Sequence, residues 1–274
     1  MIFKVFKVAS GIFAIISLVA IVTVLFADSL KVLSSVSLDR FVTGSWNPSL
    51  GEFNLLPMVI GGLAASVGSL VFVAPIATLS AIAIQLFCPR LLAVVIGKIF
   101  ALMSGIPSVI FGLWGLGIIV PSINNIEPPG ASLLAASLVL AVIVLPSTIL
   151  LISRAIEEIP MDQVSAANSL SLSLLNRIHL IILPNILPTV LSILCVQFAR
   201  ALGETMAVVM VAGNIPAVPK SIFDPIRTLT GHIALEMPYA EGLHRSSLML
   251  SGLLLCLPSL ILFYLARRYL ERLR

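Results

Sequence analysis

Two ionisable residues stand inside an apolar run. Arg200 and Glu204 lie in Phe198-Ala199-Arg200-Ala201-Leu202-Gly203-Glu204-Thr205-Met206-Ala207-Val208-Val209-Met210. Four residues apart, they share one face if the run is a continuous helix. Each costs about 2.5–3.5 kcal/mol at the centre of a membrane helix on insertion scales, so such residues face a bundle interior or an aqueous path. The pair is then either an ion-pair clip pinning its helix, or a stepping stone for a solute. The permanently charged guanidinium fork suits the oxygens of an oxyanion. Glu204 would repel an anion unless it stays paired with Arg200 or accepts a proton from a protonated oxyanion. Thr205 adjoins the pair and is placed on the same path. A second polar pair, Ser104 and Ser108, flanks Gly105-Ile106-Pro107 in another apolar run. Pro107 breaks the helical ladder there, and broken helices are tolerated only where they line protein or a water-filled cavity. The two hydroxyls could meet a passing oxyanion, or serve as small residues for helix packing.

Covalent chemistry has no foothold. The chain contains no G-x-x-x-x-G-K-[ST], no H-E-x-x-H and no G-x-S-x-G. His179, His232 and His244 are far apart in sequence, and Cys88, Cys195 and Cys256 have no metal-site spacing. No catalytic residue, no metal ligand and no cofactor is expected. Movement of a solute is the remaining class of work, with its energy supplied elsewhere.

The elements that position these residues follow from composition. Of 274 residues, 59% are hydrophobic and 10% charged, and the mean hydropathy is +1.16. A soluble domain carries about 25% charged residues, so this is an all-α polytopic membrane protein. Six runs are long enough to span a bilayer: Val8 to Ala27, Asn54 to Pro89, Ile99 to Pro121, Ala131 to Ile152, Ile178 to Gly213 and Ser246 to Ala266. The fifth is expected to begin its span near Pro188. The first is too long for a signal-peptide core and reads as an uncleaved helix. Pro75 should kink the second, and Gly61 and Gly62 loosen its start. With both termini inside, Lys4, Lys7, Arg90, Lys98, Arg154, Arg177, Arg267, Arg268, Arg272 and Arg274 are cytoplasmic. Lys31, Arg40, Lys220, Arg227 and Arg245 are outside, which satisfies the positive-inside rule. Residues 1–56 form a first helix and outer loop, and residues 57–274 the main transmembrane domain.

The inner connection between spans four and five is the most structured of the loops. Pro160 suits a helix start and Asp162 the positive end of its dipole. A second short helix is expected from about Leu172, with Leu174, Leu175 and Ile178 on one side. This loop resembles that of ABC-importer permeases, whose pattern is E-A-A, three residues, G, nine residues, I-x-L-P. Ala166-Ala167 and Ile181, Leu183 and Pro184 fall at the matching places. Ser165 stands for the usual Glu and Ser171 for the usual Gly.

Three further stretches resemble phosphate-specific ABC permeases, more narrowly the C-type (PstC) family. They are Arg200-Ala201-Leu202-Gly203-Glu204-Thr205-Met206-Ala207-Val208 followed by Ala212-Gly213-Asn214, Gly105-Ile106-Pro107-Ser108-Val109-Ile110-Phe111-Gly112-Leu113-Trp114-Gly115-Leu116, and Phe41-Val42-Thr43-Gly44-Ser45-Trp46-Asn47-Pro48. The resemblance implies a type I ABC-importer permease fold and a bacterial inner-membrane location. It implies an A-type permease as heterodimer partner, two ATP-binding subunits below and an extracytoplasmic phosphate-binding protein above. It also makes the inner loop the site of ATPase coupling. Two other functions stay open: a permease for another tetrahedral oxyanion, and a channel or membrane scaffold without ATP coupling.

Overall fold

The computed structural model describes residues 2–169 and 172–271. It is built from helices, with one short hairpin at the surface. Helix α1 (Ile2–Ser35) is followed by hairpin strands β1 (Trp46–Asn47) and β2 (Glu52–Phe53), antiparallel with Trp46 opposite Phe53. Next come α2 (Leu56–Phe87), α3 (Arg90–Ser104) and α4 (Ser108–Trp114), then a π-helical turn at Gly115–Ile119 and α5 (Val120–Asn124). The remainder is α6 (Leu133–Glu157), α7 (Met161–Ser169), α8 (Leu174–Arg177), a π turn at Ile178–Ile182, α9 (Leu183–Leu202), α10 (Met206–Val211), α11 (Leu229–Glu236) and α12 (Gly242–Glu271).

Five stretches among the described residues are long and apolar enough to cross a membrane: Phe6–Ser35, Leu56–Phe87, Leu133–Glu157, Leu174–Leu202 and Gly242–Ile261. The third expected run, Ile99 to Pro121, falls on a bent pair, Arg90–Ser104 with Ser108–Asn124, turned by 91°. The bend sits at Gly105-Ile106-Pro107, where Pro107 cannot donate to the ladder. The break expected there is present, and it is much sharper than a kink.

Helix α6 is the hub. Two-thirds of its most apolar window is buried (67%), with α2 along one flank and α9 along another. Small residues make that closeness possible. Ala65, Ser66, Ser69, Ala77 and Ala81 of α2 are buried, as are Ala135, Ala136 and Ala141 of α6. Membrane helices associate by such close van der Waals packing, since lipid offers no hydrophobic drive between them. Helix α12 packs on α9, and α1 on α12, at the edge of the bundle. Most of α1 faces outward; Val32 near its end is buried with Phe41, Phe53, Leu55 and Leu250.

Helix α2 runs unbroken through Pro75. Gly61 has a specific task at its start. A Cβ there would come within 2.7 Å of the Arg227 carbonyl oxygen, so glycine lets the outer loop lie against α2. The fifth run differs more from expectation. Its helix begins at Leu174, well before Pro188, because the π turn absorbs the geometry ahead of Pro184. It ends at Leu202, and α10 is a separate element beyond Gly203-Glu204-Thr205.

Candidate functional site

The break after Leu202 corrects the expected Arg200–Glu204 pair. The two residues do not share a helix face. Gly203 caps α9 through bonds of its N–H to the Ala199 and Ala201 carbonyls, and the Glu204 N–H closes a tighter turn on Ala201. The chain then changes direction. The Glu204 carboxylate accepts the Thr205 N–H at 3.1 Å, and the Glu204 carbonyl accepts the Thr230 hydroxyl at 2.8 Å. Among the described residues, no ion pair joins Arg200 to Glu204.

Arg200 has a different partner. Its Nη1 donates to Ser147 Oγ at 3.1 Å, and the Gln197 amide donates to the same oxygen at 3.2 Å. Ser147 donates to the Val144 carbonyl at 3.0 Å. Gln197 is buried, and its Oε1 has no hydrogen-bond partner among the described residues. Ser147 follows Pro146 inside α6. The sequence signal for this node is the Pro146-Ser147-Thr148 step in the middle of an apolar span. A cation, an amide and a hydroxyl thus converge between α6 and α9, with Arg200 itself exposed. That arrangement donates hydrogen bonds and carries positive charge, so it can receive an anion.

The other expected path residues lie at the two breaks. Ser104 ends α3 and donates back to the Phe100 carbonyl at 2.8 Å; Ser108 begins α4. Thr205 precedes α10, its hydroxyl 3.4 Å from the Gly203 carbonyl. The structure brings the two half-helices together, since α10 packs against α4. A Cβ on Gly112 would lie 2.7 Å from Ala207 Cα, so the backbones touch. Beyond α10, Gly213 (φ 80°) and Asn214 (φ 58°) both adopt left-handed backbone. Glycine and asparagine are the residues that tolerate this, which gives Ala212-Gly213-Asn214 a physical reason. Asn214 Nδ2 then bonds the Val209 carbonyl at 2.7 Å, closing the end of α10.

Helix α7 contains Ser165, Ala166 and Ala167. Ser165 is exposed, and its carbonyl accepts the Ser169 hydroxyl at 3.0 Å. Ser171 lies outside the described residues. Ile181 belongs to the π turn and Leu183 and Pro184 to the first turn of α9. Asn185 fastens the unit: its Nδ2 donates to Gln163 Oε1 of α7 and to the Ile181 carbonyl, both at 2.7 Å. The expected second short helix is α8, led by Ser173, whose Oγ accepts the Asn176 N–H at 3.4 Å.

A cluster at the other end of the bundle was not foreseen. The histidines His232 and His244 are brought to one carboxylate, that of Glu236. Arg227 Nη1 lies 2.6 Å and His244 Nε2 2.9 Å from it, and the Trp46 indole N–H donates to both its oxygens at 2.9 and 3.1 Å. His232 Nδ1 is 3.6 Å away. Its ring is fully buried under Trp46, edge-to-face at 4.2 Å between centroids, and neither ring nitrogen has a hydrogen bond among the described residues. Burial disfavours the charged ring and outweighs the pull of Glu236, while Arg227 and His244 oppose protonation further; the pKa drops to about 4. Burial alone would raise the Glu236 carboxyl. The field of protonated His232, the bonds from His244 and Trp46 and the charge of Arg227 together hold it below the usual carboxylate range. Trp46 and these side chains come from the hairpin, the loop before α11, α11 and α12, so they tie these elements together at one end of the bundle. Among the described residues no group of three His, Cys, Asp or Glu side chains is disposed to hold a metal ion.

The described residues thus combine membrane-crossing helices, a helix pair bent at right angles and a helical loop fastened to the next span. The comparisons with known proteins assign this framework to the transport permeases. Residues 73–274 match the family described as binding-protein-dependent transport system inner membrane component. The chain belongs to that family. It is similar to the phosphate transport system permease protein PstC of Mesorhizobium japonicum, with 28% identity over 96% of this chain and 88% of the relative. A probable ABC transporter permease, YqgH of Bacillus subtilis, is 32% identical over 87% of this chain and 79% of its own. The PstC of Xylella fastidiosa strain Temecula1 is 27% identical over 99% of this chain and 90% of its own. In fold, the chain resembles one from an inward-facing crystal form of the MetNI methionine ABC transporter. The TM-score is 0.56 at 17% identity, over 78% of this chain and 94% of that one.

Proposed function

We propose that this chain is a permease subunit of an ATP-driven importer of inorganic phosphate, forming half of its translocation path. The observation that carries the reading is the near full-length similarity to proteins named as phosphate transport permeases, over 96–99% of the chain. The cargo is consistent with the Ser147–Gln197–Arg200 node, which presents donors and a positive charge without a neutralising carboxylate. Arg200, Ser104, Ser108, Glu204 and Thr205 line or adjoin the path at the two helix breaks. A node of one cation binds an oxyanion shallowly, which suits a path that must release its cargo.

The partners are a second, A-type permease, two ATP-binding subunits and an extracytoplasmic phosphate-binding protein. The chain itself has no catalytic step; ATP hydrolysis belongs to the ATP-binding subunits, and α7 with the Ile181–Pro184 segment docks on them. Both termini are cytoplasmic in the bacterial inner membrane. Residues 57–274 form the permease domain, and residues 1–56 supply the peripheral helix and outer hairpin.

The test is uptake of radiolabelled phosphate by cells whose only such importer carries this chain. Arg200→Gln should abolish uptake while the subunit still reaches the membrane, since charge is lost and little volume. Wild-type uptake in that variant would remove Arg200 from the path. Competition by arsenate, sulfate or molybdate assigns the oxyanion: a competitor stronger than phosphate itself would contradict the cargo.

A further inference from the structure

We propose that the cavity between the α7-side ends of α2, α3 and α6 binds the phosphate-bearing headgroup of an anionic membrane lipid. The cavity has a volume of about 660 Å³, and Gln85, Arg90, Arg154 and Glu157 are among its lining residues. Arg90 opens α3 and Arg154 lies in the last turn of α6. Neither guanidinium has a carboxylate within 4.0 Å among the described residues. The one carboxylate in the lining, Glu157, accepts the Gln85 amide at 2.7 Å through its Oε1. Two arginines that are not ion-paired therefore border one space with a single carboxylate, which leaves it net positive.

The remainder of the wall decides between a lipid and a free ion. Phe100 and Leu150 add apolar surface to the lining. A small, fully hydrated oxyanion gains nothing from such a wall, whereas an acyl chain does. The cavity also lies at the helix ends, and α3 presents Leu91 and Leu102 outward at 79% and 75% exposure. Basic pockets between membrane helices at their cytoplasmic ends have the chemistry for lipid phosphates, and arginine binds them bidentately. Assignment to the cytoplasmic leaflet rests on the orientation proposed above; the binding itself does not. The site is separate from the Ser147 node, because Arg154 lies seven residues further along α6, about 10 Å by helical rise.

The experiment is native mass spectrometry of the assembled, detergent-extracted transporter, titrated with phosphatidylglycerol and, as control, phosphatidylcholine. The wild type should bind phosphatidylglycerol in preference. Arg90→Gln combined with Arg154→Gln should weaken that binding about tenfold or more, given about 1 kcal/mol per basic residue. A second variant guards against misassembly. A Cβ on Gly97 would meet only Leu150 Cδ2, at 3.9 Å, so Gly97→Leu fills the cavity without touching either charge and should also reduce binding. Unchanged phosphatidylglycerol binding in Gly97→Leu overturns the proposal. So does displacement of the lipid by millimolar inorganic phosphate, which would make this a free-phosphate site. Loss of the partner permease from both variants with lipid binding intact would make it a protein interface, and overturns it as well.

Discussion

At the residue scale, Arg200 shows how one chain reversal rewrites a side chain's partners. Spacing of four residues promised a paired carboxylate, but Gly203 ends the helix and Glu204 turns to the Thr205 N–H. The arginine instead rests on Ser147, a hydroxyl and not a counter-charge, and so keeps its full positive field. The opposite holds at Glu236, where Arg227, His244 and Trp46 surround one carboxylate. No spacing in the sequence announces that cluster, since Trp46 and Glu236 are 190 residues apart. His232 gives it a pH dependence. In the unfolded chain its ring titrates near 6.5, and in the folded protein at about 4. Between those values the unfolded state binds a proton that the folded state refuses, so stability is lost as pH falls through this window. The depressed Glu236 carboxyl acts in the same direction, losing its contribution as acid protonates it. For His232 alone the full effect, reached once the pH lies below its folded value of about 4, is on the order of 3 kcal/mol. Thermal melts of the purified protein between pH 7 and 4 should show a falling midpoint, and His232→Phe should flatten the fall. An identical slope in that variant would show that His232 does not titrate as described.

At the scale of elements, the informative parts are those that interrupt regular helices. Gly105-Ile106-Pro107 turns one apolar run by 91°, and Gly203-Glu204-Thr205 divides another. The resulting half-helices α4 and α10 pack together where Gly112 admits Ala207. Between α6 and α8, α7 is a nine-residue helix with little apolar character of its own. It is held to the bundle by the Gln163–Asn185 bond, which leaves Ser165 exposed for a partner. If α7 couples to an ATP-binding subunit, a photo-crosslinker at Ser165 should capture that subunit in the assembled complex. A large charged residue in place of Ala167 should uncouple ATP hydrolysis from transport or prevent assembly. Crosslinks that form only to lipid would rule out the coupling role. Much at this scale was legible. Long uncharged runs gave the spans, Pro107 gave the break, and Pro160 with Asp162 gave the start of α7. What escaped was the π turn at Ile178–Ile182, which lets a helix pass through a proline-rich stretch and so hides its true beginning. The separation of α10 escaped as well. Gly203-Glu204-Thr205 interrupts the apolar run there, but the spacing of Glu204 from Arg200 fits a continuous helix equally well.

At the scale of the molecule, the chain is a multi-pass membrane protein organised around α6, with many apolar side chains left outward. Phe13, Leu79 and Leu113 are 73%, 67% and 61% exposed. In water such a surface would aggregate; in a bilayer it meets lipid or another permease. The chain contains no P-loop sequence, and α7 is the element proposed above to dock on the ATP-binding subunits. The central claim is that this chain moves phosphate when a partner hydrolyses ATP. The direct measurement is phosphate accumulation in proteoliposomes containing this chain, its partner permease, the ATP-binding subunits and the binding protein. The account predicts accumulation that requires ATP hydrolysis and the binding protein, and that disappears with Arg200→Gln. Phosphate equilibration at the same rate without ATP would contradict it and identify a passive channel.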